Sequence, residues 1–323
     1  MAEKPFRLHF RGVRGSIPTP ARSEDIQAKL RFALSQAKPS DLESSESIEA
    51  FIGDLPMHVR SCVGGNSACL EMTIGGNRFM FDGGSGCFNV GQDWMKEEFG
   101  DGKGHAHVFI THTHLDHIMG LPMFGPLYVP GNQFSFYSPH GDLEKRLSGQ
   151  HLPEYFPVSF DTLGSTIEFV DLSDTQTIEV DGVKVSWLEN DHPGRSFSYR
   201  VEYQGHVVVL STDAEYKSLD PAVLEPVLEF FSDADVLIFD AQYGFTESVQ
   251  LKRDWGHSSS FVGVDLALDA GVKRLALFHH EPTADDFLLV NILKKAQAYL
   301  KNIEPDSELD IFLAHEDLIL EFG

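Results

Sequence analysis

An α/β fold of the α+β kind is predicted by three features of the sequence. Short apolar runs face each other across Gly- and Asn-containing turns, helix-length segments alternate with short strands towards the end, and a hydrophobic content of 42% suits a packed core. At 323 residues the chain is long enough for one large α/β domain or two modest ones.

Phe6 to Phe10 reads as the first strand. Ala68 to Ile74 and Arg78 to Phe81 flank Gly75-Gly76-Asn77, a hairpin signal. Val183 to Leu188, Phe197 to Tyr203 and His206 to Leu210 form a second β-rich block, with turns at Asp181-Gly182 and Gln204-Gly205. Val236 to Phe239 and Arg274 to Phe278 are short apolar strands. Ser258 to Ala270 and Ala284 to Leu300 have helix length and apolar spacing, and Ser258 is a candidate N-cap.

Residues 21 to about 60 differ in composition. Ile26, Leu30, Ala33, Leu34 and Ala37 recur at helical spacing, and the acidic, serine-rich DLESSESIEAF follows. A helical insertion in a single domain of 1–323 is expected, read as a solvated flap, with a lid or a homodimer contact as alternatives.

The opening MAEKPFRLHFRGVRG is charged throughout, and no stretch approaches the roughly 18 apolar residues of a membrane span. A cytoplasmic protein with no membrane partner is expected. Cys62, Cys69 and Cys87 form no CxxC pair and read as small core residues. A net charge of −24, with 25 basic residues against 49 acidic ones, argues against a long nucleic acid and for a small anionic substrate.

The chemistry lies at strand ends. AHVFI runs into Thr111-His112-Thr113-His114-Leu115-Asp116-His117, KVSWLEN into Asp191-His192, HVVVLST into Asp213, and RLALF into His279-His280. Open sheets place their sites in such loops, because strands fix position while loops supply the reacting groups. A lone histidine after a strand is more often a hydrogen-bonded core or surface residue. Four ligand types within six residues are a different matter, since a tight loop can divide them between two adjacent ions. One division assigns His112, His114 and His192 to a first ion, Asp116, His117 and His279 to a second, and Asp213 as the bridge. Imidazole and carboxylate without thiolate suit zinc, with manganese or iron also compatible. Two divalent ions against two aspartates and a bridging hydroxide leave a net positive centre able to attract an anion. Phosphodiester hydrolysis fits best.

These motifs, with FDGGSG upstream and ENDHPG, STD, WGHSS and LFHHEP downstream, resemble the metallo-β-lactamase superfamily over nearly the whole chain. Its ribonuclease Z-like and phosphoribosyl cyclic phosphodiesterase-like branches are the most similar. The resemblance implies a four-layer αββα sandwich, matches the family's bridging aspartate to Asp213 and its histidine motif to His257-Ser258, and selects His279 over His280 as the ligand. His114, where flavodiiron relatives carry an acid, argues against redox iron chemistry. The long glycine- and proline-rich arm with which ribonuclease Z grips transfer RNA has no counterpart here.

Asp116 and His257 are assigned catalytic roles, His257 as a general acid or leaving-group stabiliser rather than a metal ligand. A capping or packing role is its alternative. Asp82, in FDGGSG, is expected to orient a ligand imidazole from a tight turn beneath the metal loop. Arg195 is placed to reach a bound phosphate, with a surface ion pair equally compatible, and His280 is a further candidate for substrate contact. His151, Tyr155 and Phe156 read as core aromatics or pocket lining. A dinuclear hydrolase acting on a small cyclic phosphodiester through a metal-bridging hydroxide is the reading favoured. A lactone or thioester hydrolase and a non-catalytic metal-binding protein are its rivals.

Overall fold

Alternation along the first strand sets the architecture. In β1 (Phe6–Gly12) the side chains of Phe6, Leu8 and Phe10 point inward and are at most 1% exposed, while Arg7, His9 and Arg11 point the other way. The computed structural model describes residues 6–218, 220–242 and 256–323.

β1 pairs antiparallel with β2 (Cys69–Ile74), and β2 turns through Gly75-Gly76 into β3 (Asn77–Phe81). Both turn glycines have positive φ, 62° and 90°, which the tight hairpin requires. β3 is followed in parallel by β4 (His105–Phe109), β5 (Gln133–Ser138) and β6 (Thr166–Asp171). The second sheet begins as an antiparallel meander of β7 (Thr177–Val180), β8 (Val183–Asn190), β9 (Ser196–Tyr203) and β10 (His206–Ser211). It ends in parallel with β11 (Val236–Asp240), β12 (Arg274–Phe278) and β13 (Asp310–Leu313). The last strand, β14 (Ile319–Phe322), returns to the first sheet beside β1, so each sheet has seven strands.

Among the described residues the α-helices are, in chain order, α1 (Ser23–Gln36), α2 (Ser45–Asp54), α3 (Met57–Arg60), α4 (Cys87–Trp94), α5 (Leu115–Ile118), α6 (Leu143–Gly149), α7 (Pro221–Phe231), α8 (Ser260–Asp269) and α9 (Asp286–Ile303). α4 and α6 join Met80, Val108 and Phe134 in a core on the outer side of the first sheet. α8 packs on β11 and β12, and α9 on β13. Helices therefore flank both sheets, as the four-layer sandwich requires. Neither α1 nor α2 buries a residue. α1 is tied down by Lys29, which donates to Asp286 (2.5 Å) and to the Ser61 carbonyl (2.6 Å). The N-cap of α8 is Ser259, not Ser258, and makes no side-chain cap bond; the Ser258 hydroxyl instead donates to the Ala214 carbonyl. Among the described residues no helix is long and apolar enough to cross a membrane.

The inner faces of the two sheets share one core. Phe109 stacks on Phe81 and Tyr137, with centroids 5.1 and 4.5 Å away, and the fully buried Tyr199 of β9 crosses the interface to donate its hydroxyl to the Ile110 carbonyl at 2.9 Å. Tyr199→Phe removes that bond while the Ile110 carbonyl keeps the Ser138 hydroxyl, so a loss of about 1 kcal/mol is expected in chemical unfolding. Phe109→Ala, which leaves a cavity, is expected to cost about 3–5 kcal/mol in the same measurement.

Candidate metal centre

The ends of β1, β3 and β4 from one sheet meet the ends of β8, β10, β11 and β12 from the other at one edge of the sandwich. The loop after β4 contributes most, because its turn into the one-turn helix α5 throws His112, His114, Asp116 and His117 in different directions.

Two donor sets result. His114 Nδ1 lies 3.0 Å from His112 Nε2 and 3.1 Å from His192 Nε2, and Asp213 Oδ1 stands 3.8 and 3.7 Å from those two Nε2 atoms. In the second set His117 Nε2 is 3.4 Å from Asp116 Oδ2 and 3.3 Å from His279 Nε2, and Asp213 Oδ2 is 3.1 and 3.3 Å from the two imidazoles. Asp213 thus presents one oxygen to each set. Donors about 2.0 Å from a zinc ion in a tetrahedral shell stand about 3.3 Å apart, so both spacings fit a metal.

Hydrogen bonds on the far side of the rings point the same way. The Thr111 hydroxyl donates to Asp82, so it accepts from His112 Nδ1 (3.1 Å). His117 Nδ1 donates to Asp82 Oδ2 (2.8 Å), and His192 Nδ1 donates to the Gly256 carbonyl (2.9 Å). With Nδ1 carrying the proton, each Nε2 lone pair faces the centre, as ligand imidazoles do when an outer acceptor fixes their tautomer.

Burial dominates the electrostatics. It pushes the His112 imidazole well below its ordinary range and lowers His114 and His192, favouring the neutral form a cation needs. Around His117 burial is overruled by Asp213, Asp116 and Asp82, which raise the imidazole well above its ordinary range, so the negative field there favours positive charge, which a bound cation would supply. Burial alone would raise the Asp213 carboxyl, but His279, His117 and His112 hold it well below the carboxylate range. His114 is the solvent-exposed donor and marks the open side of the centre. Asp82, Asp213 and His279 all adopt left-handed backbone, with φ of 60°, 54° and 58°. Such conformations cost about 1–3 kcal/mol each and concentrate at functional sites.

His257 stands at the rim. Its Nδ1 is 2.8 Å from Asp240 Oδ2 and 3.9 Å from Asp213 Oδ1, and its ring stacks on His279 with centroids 5.1 Å apart. Burial disfavours its charge, yet Asp240, with smaller help from Asp213 and Asp116, lifts it to about 9. It can also be grouped with Asp213 and His279 as a donor, but its Nδ1 is engaged by Asp240. Trp255, which precedes it in the WGHS motif, lies outside the described residues.

Other candidates are placed elsewhere. Arg195 makes an exposed fork with Glu189, both bonds 2.9 Å, and lies over Phe197. His280 turns away from the centre and donates to the Ala314 carbonyl at 2.8 Å. His151 packs on Phe156 and Phe160, while Tyr155 is 76% exposed. Two participants escaped the sequence reading. Asp240 ends the apolar strand β11, so the strand-end rule applied there would have flagged it. The Ser16 amide, which donates to Asp116 Oδ2 at 2.6 Å, has no such signal, because any residue supplies an amide. Its neighbour Gly15 is needed for space, since a Cβ there would meet His279 Nδ1 at 2.5 Å. FDGGSG does lie beneath the metal loop: the Gly83 amide donates to the His117 carbonyl, and a Cβ on Gly84 would meet the Asp116 carbonyl oxygen at 2.3 Å.

Residues 77–280 match the family model described as the beta-lactamase superfamily domain. Ribonuclease Z of Thermoplasma acidophilum is 24% identical over 225 residues, covering 56% of this chain and 70% of its own. Ribonuclease Z of Archaeoglobus fulgidus is 25% identical over 266 residues, covering 66% and 81%. Among solved structures, the metallo-beta-lactamase fold protein YhfI from Bacillus subtilis superposes with a TM-score of 0.65 at 16% identity, over 99% of this chain and 100% of its own. These relatives overturn the expectation that a long nucleic acid is excluded, for the ones matched in sequence are named ribonucleases. The physical reason is that net charge sums the whole chain. Buried carboxylates such as Asp82, Asp213 and Asp240 count towards −24 without facing an approaching polyanion, which responds to the local field.

Asp82→Ala is expected to weaken metal retention by about 10–100-fold, measured by elemental analysis after dialysis against a chelator, because His117 loses its orienting acceptor. A second expectation concerns pH. A histidine raised from 6.5 to about 9 on folding binds its proton more tightly in the native state, so its stabilisation is complete below pH 6.5 and is lost as pH rises towards 9. In metal-free protein the unfolding midpoint of His257→Gln should therefore fall less across that window than that of the unaltered chain.

Proposed function

The chain belongs to the beta-lactamase superfamily and is a metal-dependent hydrolase, and from that premise we propose that it is a phosphodiesterase with a dinuclear centre. The observation that carries this reading is the shared carboxylate: Asp213 offers Oδ1 to one trio of imidazoles and Oδ2 to a set containing Asp116, His117 and His279. His112, His114, His192 and Asp213 would hold one divalent ion, and Asp116, His117, His279 and Asp213 the other. Zinc suits these donors, with manganese or iron as alternatives. Bound there, two such ions would supply an acidified water and charge to stabilise the attacking and leaving oxygens.

The protein's own groups do the rest. The Ser16 amide fixes the Asp116 oxygen that faces His279, and Asp82 holds His117 and the amide of Thr111 in register. With Nδ1 of His257 bound to Asp240, Nε2 is the atom that can pass a proton to a departing alkoxide. Asp240 holds that imidazole in place for the transfer.

The preferred substrate is a small phosphodiester, such as a cyclic nucleotide or a cyclic sugar phosphate. RNA is the second reading, supported by the ribonuclease Z relatives. The chain is taken as one domain, with the helices of residues 21–60 as an insertion.

A parallel assay of bis-p-nitrophenyl phosphate, a cyclic nucleotide, a precursor transfer RNA, a homoserine lactone and a glutathione thioester tests the class. Turnover of phosphodiesters is expected; turnover confined to the lactone or thioester would refute the reading. Asp213→Ala should lose at least one metal ion and the activity with it. His257→Ala should keep its metals yet lose about 10²–10⁴ in rate on poor leaving groups, and much less on p-nitrophenolate. Loss of metal in that variant would make His257 a ligand instead.

A further inference from the structure

At the opposite end of the sandwich three more donors converge. His105 and His107 are alternate residues of β4, so both imidazoles lie on the same face of the first sheet, roughly 15 Å along the strand from the metal loop. Asp181 comes from the second sheet, where Asp181-Gly182 turns β7 into β8 with φ of 51° and 77°. One donor atom from each of the three residues lies within 4.8 Å of the other two.

The details favour a cation over a plain ion pair. His107 Nε2 is 3.0 Å from Asp181 Oδ2, and on its other side Nδ1 is 3.1 Å from the Tyr137 hydroxyl. Nε2 is the atom turned to the carboxylate, and with the Tyr137 hydroxyl holding Nδ1 a cation can take the place of the proton between Nε2 and Asp181. The His105 ring sits edge-on to His107, centroids 4.7 Å apart, and a hydrogen-bonded His107–Asp181 pair has no use for it. His107 is buried, whereas His105 and Asp181 are exposed, which leaves a route for an ion.

We propose that His105, His107 and Asp181 form a further transition-metal site, of the zinc type, that ties the two sheets together at the end remote from the catalytic centre. Two imidazoles and a carboxylate, with water as the fourth donor, complete the tetrahedral shell zinc prefers. The ion would join β4 of one sheet to the β7–β8 turn of the other.

The test compares the full chain with His105→Ala and with Asp181→Asn, which keeps a residue suited to the left-handed turn position. Each is saturated with zinc, freed of excess by gel filtration and analysed for metal, and its unfolding temperature is followed with and without added zinc. Both variants should hold one zinc fewer per chain than the unaltered protein, keep its hydrolase activity, and gain less in unfolding temperature on adding zinc. Because the readout is a difference between chains with the same 112–117 loop, it does not depend on how many ions the catalytic centre holds. Equal zinc content in all three proteins, or an equal rise in unfolding temperature, would overturn the proposal.

Discussion

The carboxylate of Asp213 is the constraint on which the rest of the centre depends. It is 2% exposed and has imidazoles on both sides, each oxygen facing a different set. A buried charge without partners costs several kcal/mol, so this residue is tolerable only where opposite charge is held against it from two directions. That requirement explains why loops from both sheets must close on the end of β10. It also explains why the inner faces are locked so tightly, through Tyr199 and the Phe81–Phe109–Tyr137 stack, since a small shift between the sheets would pull the two donor sets apart.

The outer hydrogen bonds form a second layer with the same logic. Asp82 accepts from the Thr111 amide, the Thr111 hydroxyl and His117 Nδ1, so one buried carboxylate orients two of the imidazole donors, one directly and one through a hydroxyl. Asp240 does the corresponding work for His257. The left-handed backbone at Asp82, Asp213 and His279 shows that the chain accepts local strain at three strand ends to aim these groups, with the packed sheets beneath them resisting relaxation.

Charge must be judged locally. The protein carries an excess of 24 negative charges, yet several of its carboxylates are buried against histidines at the centre, and two divalent ions there would reverse the local sign. A phosphate would meet a cationic centre on an acidic surface. This is why net charge alone could not exclude a nucleic acid.

Much was nevertheless determined by sequence alone. Apolar runs ending in His, Asp or paired His identify strands and donors together, because a strand's end projects its next residues into a loop; His112, His114, Asp116, His117, His192, Asp213 and His279 were all legible in this way. Turns at Gly75-Gly76 and Asp181-Gly182 were legible because few other residues accept their backbone angles. Tertiary structure decided what depends on how separate elements and loops approach one another. It turned His280 to Ala314 and Arg195 to Glu189, brought Asp240 to His257, and set the Ser16 amide against Asp116. A side chain's type announces what it can bind, but its partner is chosen by how strands and loops pack, whether that partner lies six residues away, as Glu189 does from Arg195, or a hundred, as Asp116 does from Ser16.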